Sequence, residues 1–233
     1  MIITGDIHKV IKTIPDDSID LIYTDPPFSI TGAGWDKALD WESLWAEMWR
    51  VLKDNGAVVL HSSMPFTFDL VNSQRQYFKY HYVWKKNIAT NFFHAKKQPL
   101  RIHEEICVFY KKQPTYNPQM KGDKFYKKRN VSHGGQDKYY GECKVEKNIE
   151  TKEGGHKGRF PTTFLEYPIR STKKSDKNTA STRPDEIVDF FIKTYTDEND
   201  TILDLTCYDG LTGRRAELLN REYIGVDLNP VYV

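Results

Sequence analysis

The feature that most constrains this chain is an apolar run that stops at two prolines, Ser18-Ile19-Asp20-Leu21-Ile22-Tyr23-Thr24-Asp25-Pro26-Pro27-Phe28. The run reads as a buried strand. Consecutive prolines lock two φ angles and remove two backbone donors, so the main chain beyond Thr24 is stiff and its carbonyls are expected to point outward as free acceptors. Asp25 adds a carboxylate there and Phe28 a ring. Acceptors beside an aromatic face, at the carboxyl end of a strand, suit a planar group with an exocyclic amine, such as adenine or cytosine. The same four residues also read as a strand with a rigid end, Asp25 starting a turn or capping a helix.

Around this run the pattern alternates between strand and helix. Ile2-Ile3-Thr4 reads as a strand, followed by a helix over about Ile7–Ile14 and a turn at Pro15-Asp16-Asp17. After Phe28, Ser29–Asp40 holds Gly32, Ala33, Gly34 and Trp35 and reads as a mobile loop over the site. Leu44, Trp45, Met48, Trp49 and Leu52 form one stripe of a helix over about Trp41–Leu52, which Asn55-Gly56 is expected to stop before the strand Ala57–His61. A helix over Met64–Gln76 and strands at Tyr80–Trp84 and Ile106–Tyr110 come next. The loop between those strands carries Lys96, Lys97 and Arg101, candidate phosphate contacts, and ends at His103-Glu104, read as a structural pair.

Ser181-Thr182-Arg183-Pro184 opens a helix over about Pro184–Tyr195. Thr201–Gly213 then reads as strand, tight turn and helix start, which places backbone N–H groups at an anionic ligand. Arg221–Asp227 is a second strand whose terminal acid lies about 20 residues beyond the turn, where a βαβ nucleotide site holds ribose hydroxyls.

At 233 residues the chain can bury one full α/β core. Its net charge of +2 conceals an uneven distribution: residues 111–178 hold 17 Lys+Arg against 8 Asp+Glu, whereas the remainder holds 17 against 24. That basic block, interleaved with Tyr116, Phe125, Tyr126, Tyr139, Tyr140, Phe160 and Tyr167, suits a polyanion with stackable bases. A solvated insertion would have the same composition. Cys107, Cys143 and Cys207 are too few and too scattered for a disulfide framework or a zinc cluster, so no metal is expected. With neither a membrane-length apolar run nor a leader, the chain is expected to be intracellular and cytoplasmic.

Asp25-Pro26-Pro27-Phe28 resembles the catalytic tetrapeptide, Asp/Asn/Ser-Pro-Pro-Tyr/Phe/Trp, of the amino-group DNA methyltransferases, which methylate adenine N6 or cytosine N4 with S-adenosylmethionine. Further landmarks follow in the family's order: the tryptophan-containing loop, the Asn-Gly turn, His103-Glu104 leading into a strand that ends in Lys, Arg183-Pro184 for the usual Lys-Pro, and the cofactor turn last. This order resembles the β class of the family, which implies a doubly wound, mostly parallel Rossmann-like sheet of seven strands, one antiparallel, with a circularly rearranged motif order and a basic inserted recognition region. It divides the chain into a catalytic half, 1–112, a target recognition region, 113–178, and a cofactor-binding half, 179–233.

By the same resemblance Asp25, Pro26, Pro27 and Phe28 are catalytic. Asp6, Asp25, Arg183, Asp204, Thr206, Tyr208, Gly210, Thr212 and Asp227 are the cofactor residues, with Asp6, otherwise a helix cap, near the cofactor's adenine. The family pattern Asp-Pro-Phe-x-Gly-x-Gly-Thr is altered here: Thr206 stands for the phenylalanine that covers the cofactor, and Tyr208 for the first glycine. Tyr208 either supplies the missing ring or blocks the pocket. The expected partner is DNA, with no membrane, and a homodimer is compatible with the family. Asp before Pro-Pro favours adenine N6. A cytosine N4 enzyme, an RNA methyltransferase and a catalytically silent nucleic-acid-binding module are the alternatives.

Overall fold

The apolar run forms a strand, Ile19–Thr24, buried throughout except at Asp20. In chain order the strands are β1 (Ile2–Thr4), β2 (Ile19–Thr24), β3 (Leu52–Ser62), β4 (Phe78–Thr90), β5 (Arg101–Phe109), β6 (Lys121–Lys127), β7 (Gly155–Arg159), β8 (Phe164–Glu166), β9 (Thr201–Asp204) and β10 (Glu222–Asp227). The helices are α1 (Ile7–Val10), α2 (Trp41–Val51), α3 (Phe66–Ser73), α4 (Asp185–Tyr195) and α5 (Leu211–Leu218). The computed structural model describes residues 1–90, 92–127, 155–170 and 183–229. Tyr139, Tyr140, Cys143, Ser181 and Thr182, singled out above, lie outside them.

The main unit, Met1–Asn117 with Thr162–Val233, is built on an eight-stranded sheet of order β1-β10-β9-β2-β3-β5-β4-β8. All neighbours are parallel except at β5, which runs antiparallel to both β3 and β4. Eight strands replace the expected seven because Phe164–Glu166, inside the basic block, pairs with β4 at Val83, Trp84 and Lys85. The alternation of strands buries both faces. Ile22, Val58, Leu60 and Cys107 pack with α1, α2 and α3 on one face, and Leu21, Tyr23, Val59 and Ile106 with α4 and α5 on the other.

Several boundaries differ from the sequence reading: the first helix is α only over Ile7–Val10 and continues as a 3-10 turn, Ile11–Thr13. Helix α2 ends at Val51 and β3 begins at Leu52, so Asn55-Gly56 lies within a strand. Pairing with β2 jumps from Ile19–Leu52 to Leu21–Ala57, and the bulge holds Gly56 so close that a Cβ there would sit 2.9 Å from the Asp20 carbonyl. Helix α3 stops at Ser73, whose hydroxyl donates to the Leu70 carbonyl, rather than running to Gln76. Strands β4 and β5 are longer than expected and continue beyond the core as a two-stranded ribbon pairing Lys85 with His103 and Thr90 with Arg101. That extension mixes polar residues with the exposed Ile88 and Ile102 and carries no burial period to read.

Pro118–Pro161 forms a separate compact unit in which β6 and β7 pair antiparallel. Tyr126 stacks on His156 at 5.7 Å and its hydroxyl accepts from Arg159 Nε at 2.7 Å, while Phe125 and Phe160 stand exposed. Among the described residues no helix is long and apolar enough to cross a membrane.

Candidate active site

The carboxyl ends of β1, β10, β9 and β2 are consecutive along one edge of the sheet and carry Asp6, Asp227, the 204–210 turn and Asp25 respectively. From β9 the chain crosses outward to β10, and from β2 it crosses the other way to β3. The gap between β9 and β2 is therefore the topological switch point where doubly wound sheets place their ligands. Across it the Thr206 hydroxyl donates to the Asp25 carbonyl at 3.0 Å and so accepts from the Thr24 hydroxyl at 2.6 Å. The Asp25 carbonyl is thus engaged, not the free acceptor expected from the prolines. The threonine standing for the family's phenylalanine ties the two strand ends together.

Asp25 lies at the mouth of the site with its side chain 32% exposed, and its Oδ2 is 3.4 Å from Nε of the buried Arg183. Burial pushes the Asp25 carboxyl up, and Arg183, then Lys86, pull it back. Burial by itself would lower Arg183, but the surrounding Asp25, Tyr23, Asp204 and Asp209 hold it firmly charged. Arg183 reaches this position because Pro184, extended at ψ 149°, caps α4 directly after it. Beneath lies Tyr23, whose hydroxyl is 2.8 Å from Nε2 of the fully buried His61. Desolvation, with Arg183 and Lys86 nearby, keeps His61 neutral. Lys86 forms an ion pair with Glu104, whose carboxyl burial raises. His103 does not pair with Glu104: successive strand residues face opposite ways, and His103 Nε2 lies 3.4 Å from Glu105 Oε1 instead.

Phe28 is half-buried and stacks on Phe66 at 5.5 Å and 20°, which leaves it a platform backed by α3 and Trp41. The loop after Phe28 has no helix or strand, yet it is tethered. The buried Asp36 accepts from the backbone N–H of Ser29, Ile30 and Thr31 at 2.5–2.9 Å. Burial opposes ionisation of Asp36, and these bonds overcome it and bring its pKa below the usual carboxylate value.

The β9 turn is held by its own polar groups. Asp204 is fully buried and its Oδ1 accepts Thr206 N–H at 3.2 Å; burial raises its pKa and Arg183 opposes the rise. Tyr208 and Gly210 take left-handed backbone, φ 41° and 67°, and Tyr208 is 38% exposed. Thr212 is buried, and Gly213 lets α5 press on β10, since a Cβ there would lie 2.5 Å from the Tyr223 ring. Asp227 accepts Tyr208 N–H at 2.9 Å on Oδ2 and Asn229 N–H at 2.8 Å on Oδ1, which leaves each oxygen a further lone pair for a diol. Asp6 caps α1 by accepting His8 N–H at 2.8 Å, while the next residue back, Gly5, donates to the Asp227 carbonyl.

Of the basic candidates, Lys96 and Lys97 are exposed in the loop above the ribbon. Arg101 donates to Ser63 Oγ at 2.7 Å and to the Met64 carbonyl at 3.0 Å, so it ties the outer end of the ribbon to the segment that follows β3. The sequence reading gave no role to Tyr23, His61 or Lys86; Lys86 reaches Asp25, and His61 reaches Tyr23, only through the tertiary fold. Among the described residues no group of three or more His, Cys, Asp or Glu side chains could hold a metal ion.

A doubly wound sheet with acids at the ends of β10 and β9 and an Asp-Pro-Pro-Phe strand end at the switch point has the fold and motif of an amino-group methyltransferase. The chain belongs to the N6/N4 DNA methylase family, whose sequence model matches residues 19–233. It is 26% identical over 245 residues to DNA adenine methyltransferase YhdJ of Escherichia coli, a match covering 100% of this chain and 79% of that protein. It is 24% identical over 255 residues to the type II methyltransferase M.BglII of Bacillus subtilis, covering 100% and 66%. Among solved structures, PvuII DNA methyltransferase (cytosine-N4-specific) superposes with a TM-score of 0.69 at 17% identity, covering 98% of this chain and 82% of that one. The M1.HpyAVI–SAM complex gives 0.60 at 19%, covering 98% and 94%. At these identities the structural likeness concerns the fold.

Proposed function

We propose that this protein transfers the methyl group of S-adenosylmethionine to the N6 amino group of adenine in DNA. The observation that carries the reading is the meeting, at one switch point, of an Asp-Pro-Pro-Phe strand end with a turn whose neighbouring strand closes on an acid. The residues fit the cofactor. Asp227 has acceptor capacity left for ribose hydroxyls, beside a turn that it holds through Tyr208 N–H. S-adenosylmethionine, when bound, supplies an electrophilic methyl group. Asp25 accepts a hydrogen of the target amine, orients its lone pair and takes the proton the nitrogen sheds after transfer; a carboxyl raised by burial suits that last task. Phe28, backed by Phe66, offers a stacking face to a base flipped from the duplex.

The basic residues of 113–178 would serve target recognition, with Lys96 and Lys97 on phosphates, between a catalytic half, 1–112, and a cofactor half, 179–233. Asp ahead of Pro-Pro, together with the adenine specificity named for the Escherichia coli relative, supports N6. The cytosine-N4 specificity of the PvuII enzyme favours the second reading, cytosine N4. Nucleoside mass spectrometry of DNA from cells expressing the chain tests both. N6-methyladenine is the expected product; N4-methylcytosine would replace the first reading with the second, and no methylated base would refute both.

A further inference from the structure

The β4–β5 ribbon rises from the same edge of the sheet as Asp25. Strand β4 runs parallel to β3 and β2, so its carboxyl end, Thr90, and the amino end of the antiparallel β5, Arg101, both lie on the side of the site. At Arg101 the ribbon is still tied to the segment that follows β3, through Ser63 Oγ and the Met64 carbonyl, and the turn beyond it is the part free to meet the major groove of B-DNA, which admits a two-stranded ribbon. At its tip, in a turn closed by Ala95 N–H to Phe92 O and Lys97 N–H to His94 O, stand Phe92, 62% exposed, and Phe93, 101% exposed. Phe93 therefore projects its whole ring into solvent. From Lys85 to His103 the chain carries five Lys and Arg residues and no carboxylate, and Lys96 and Lys97 beside the rings are exposed.

Rings at full exposure would be a liability on an isolated surface, and their setting names what covers them. A partner that is anionic outside and aromatic within satisfies both the lysines and the phenylalanines, and duplex DNA is such a partner. Resting on the reading of the site as a DNA methyltransferase, we infer that the β4–β5 ribbon enters a groove of the target duplex, with Phe92 and Phe93 stacking against or between bases and Lys96 and Lys97 on the flanking phosphates. The rings then help to hold open the stack from which the target base is drawn toward Phe28.

The test measures the affinity of the full chain for a fluorescent duplex by anisotropy, and methyl transfer to unmethylated phage DNA, native or heat-denatured. Phe92→Ala with Phe93→Ala should weaken duplex binding about ten- to a hundredfold and slow transfer to native DNA more than to denatured DNA. The paired tyrosine variant should behave like the parent. Lys96→Ala with Lys97→Ala should lower the slope of log affinity against log salt by about 2. S-adenosylmethionine binding by calorimetry should be unchanged in every variant, which shows that the fold is intact. The inference is overturned if the alanine pair binds and methylates native DNA like the parent. It is equally overturned if the pair only converts a dimer to a monomer in sedimentation while duplex affinity persists. If the parent transfers no methyl group yet the alanine pair still loses duplex affinity, the ribbon inference stands and the catalytic reading fails.

Discussion

Replacing Arg183 by methionine keeps most of the side chain's length and removes a charge 3.4 Å from Asp25 Oδ2. At that separation, with an effective dielectric of about 20, the pair interacts by about 5 kcal/mol, a ceiling because the Asp25 side chain is 32% exposed and solvent screens part of it. Burial already raises Asp25 and Arg183 opposes the rise, so the substitution drives the carboxyl further up. At any pH on the acid side fewer molecules then carry ionised Asp25, and the acid limb of kcat/KM moves to higher pH by about one unit or more, at 1.36 kcal/mol per unit. On the acid limb, activity at a fixed pH should fall about tenfold for each unit of that displacement while the alkaline plateau is retained. Arg183 also faces the buried Asp204 and Asp209, so the variant should lose about 3–5 kcal/mol of stability, and assays belong well below its melting temperature. Arg183→Lys should return the limb toward its original position. A rate that falls by one factor at every pH, with the limb unmoved, would show that Arg183 only supports the fold.

Three further outcomes follow from the geometry. Thr206→Val keeps the shape but loses the bonds to Thr24 and the Asp25 carbonyl, and should cost about 1–3 kcal/mol in denaturant unfolding together with a slower transfer rate; unchanged stability and rate would mean the bridge is incidental. Gly213→Ala forces a methyl to 2.5 Å from the Tyr223 ring and should lose about 1–3 kcal/mol, read as a lower urea midpoint. His61 is held neutral in the fold, below its ordinary value of 6.5. The unfolded chain therefore binds a proton the fold refuses as pH drops below about 6.5, and stability attached to His61 is lost at about 1.36 kcal/mol per unit. His61→Gln should abolish that component, seen as a parent-minus-variant stability difference that shrinks from pH 7.5 to 5.5; a difference independent of pH would contradict it.

The edge of the sheet that carries the candidate site was legible because its parts are local. The Ile19–Thr24 run, the prolines, and the β9 turn with its acid at Asp227 each state their geometry within a few residues. What was hidden depends on partners distant in the chain. Nothing near Arg183 announces that its guanidinium lies against Asp25, and Thr206 reads as a departure from a pattern until the opposing Thr24 is seen. The ribbon escaped notice because its exposed residues have no burial period, and β8 because its three residues acquire strand geometry only by pairing with β4. The Asn55-Gly56 turn signal was real chemistry used for another purpose, a close approach in a bulged strand.

Transfer of labelled methyl from S-adenosylmethionine to DNA by the parent and by Asp25→Ala, with duplex affinity recorded beside it, tests the central claim most directly. In the proposed function Asp25 is the acceptor that orients the target amine, so the substitution should abolish incorporation and leave DNA binding in place. Undiminished incorporation by Asp25→Ala would show the Asp-Pro-Pro-Phe end to be only the stiff terminus of a strand.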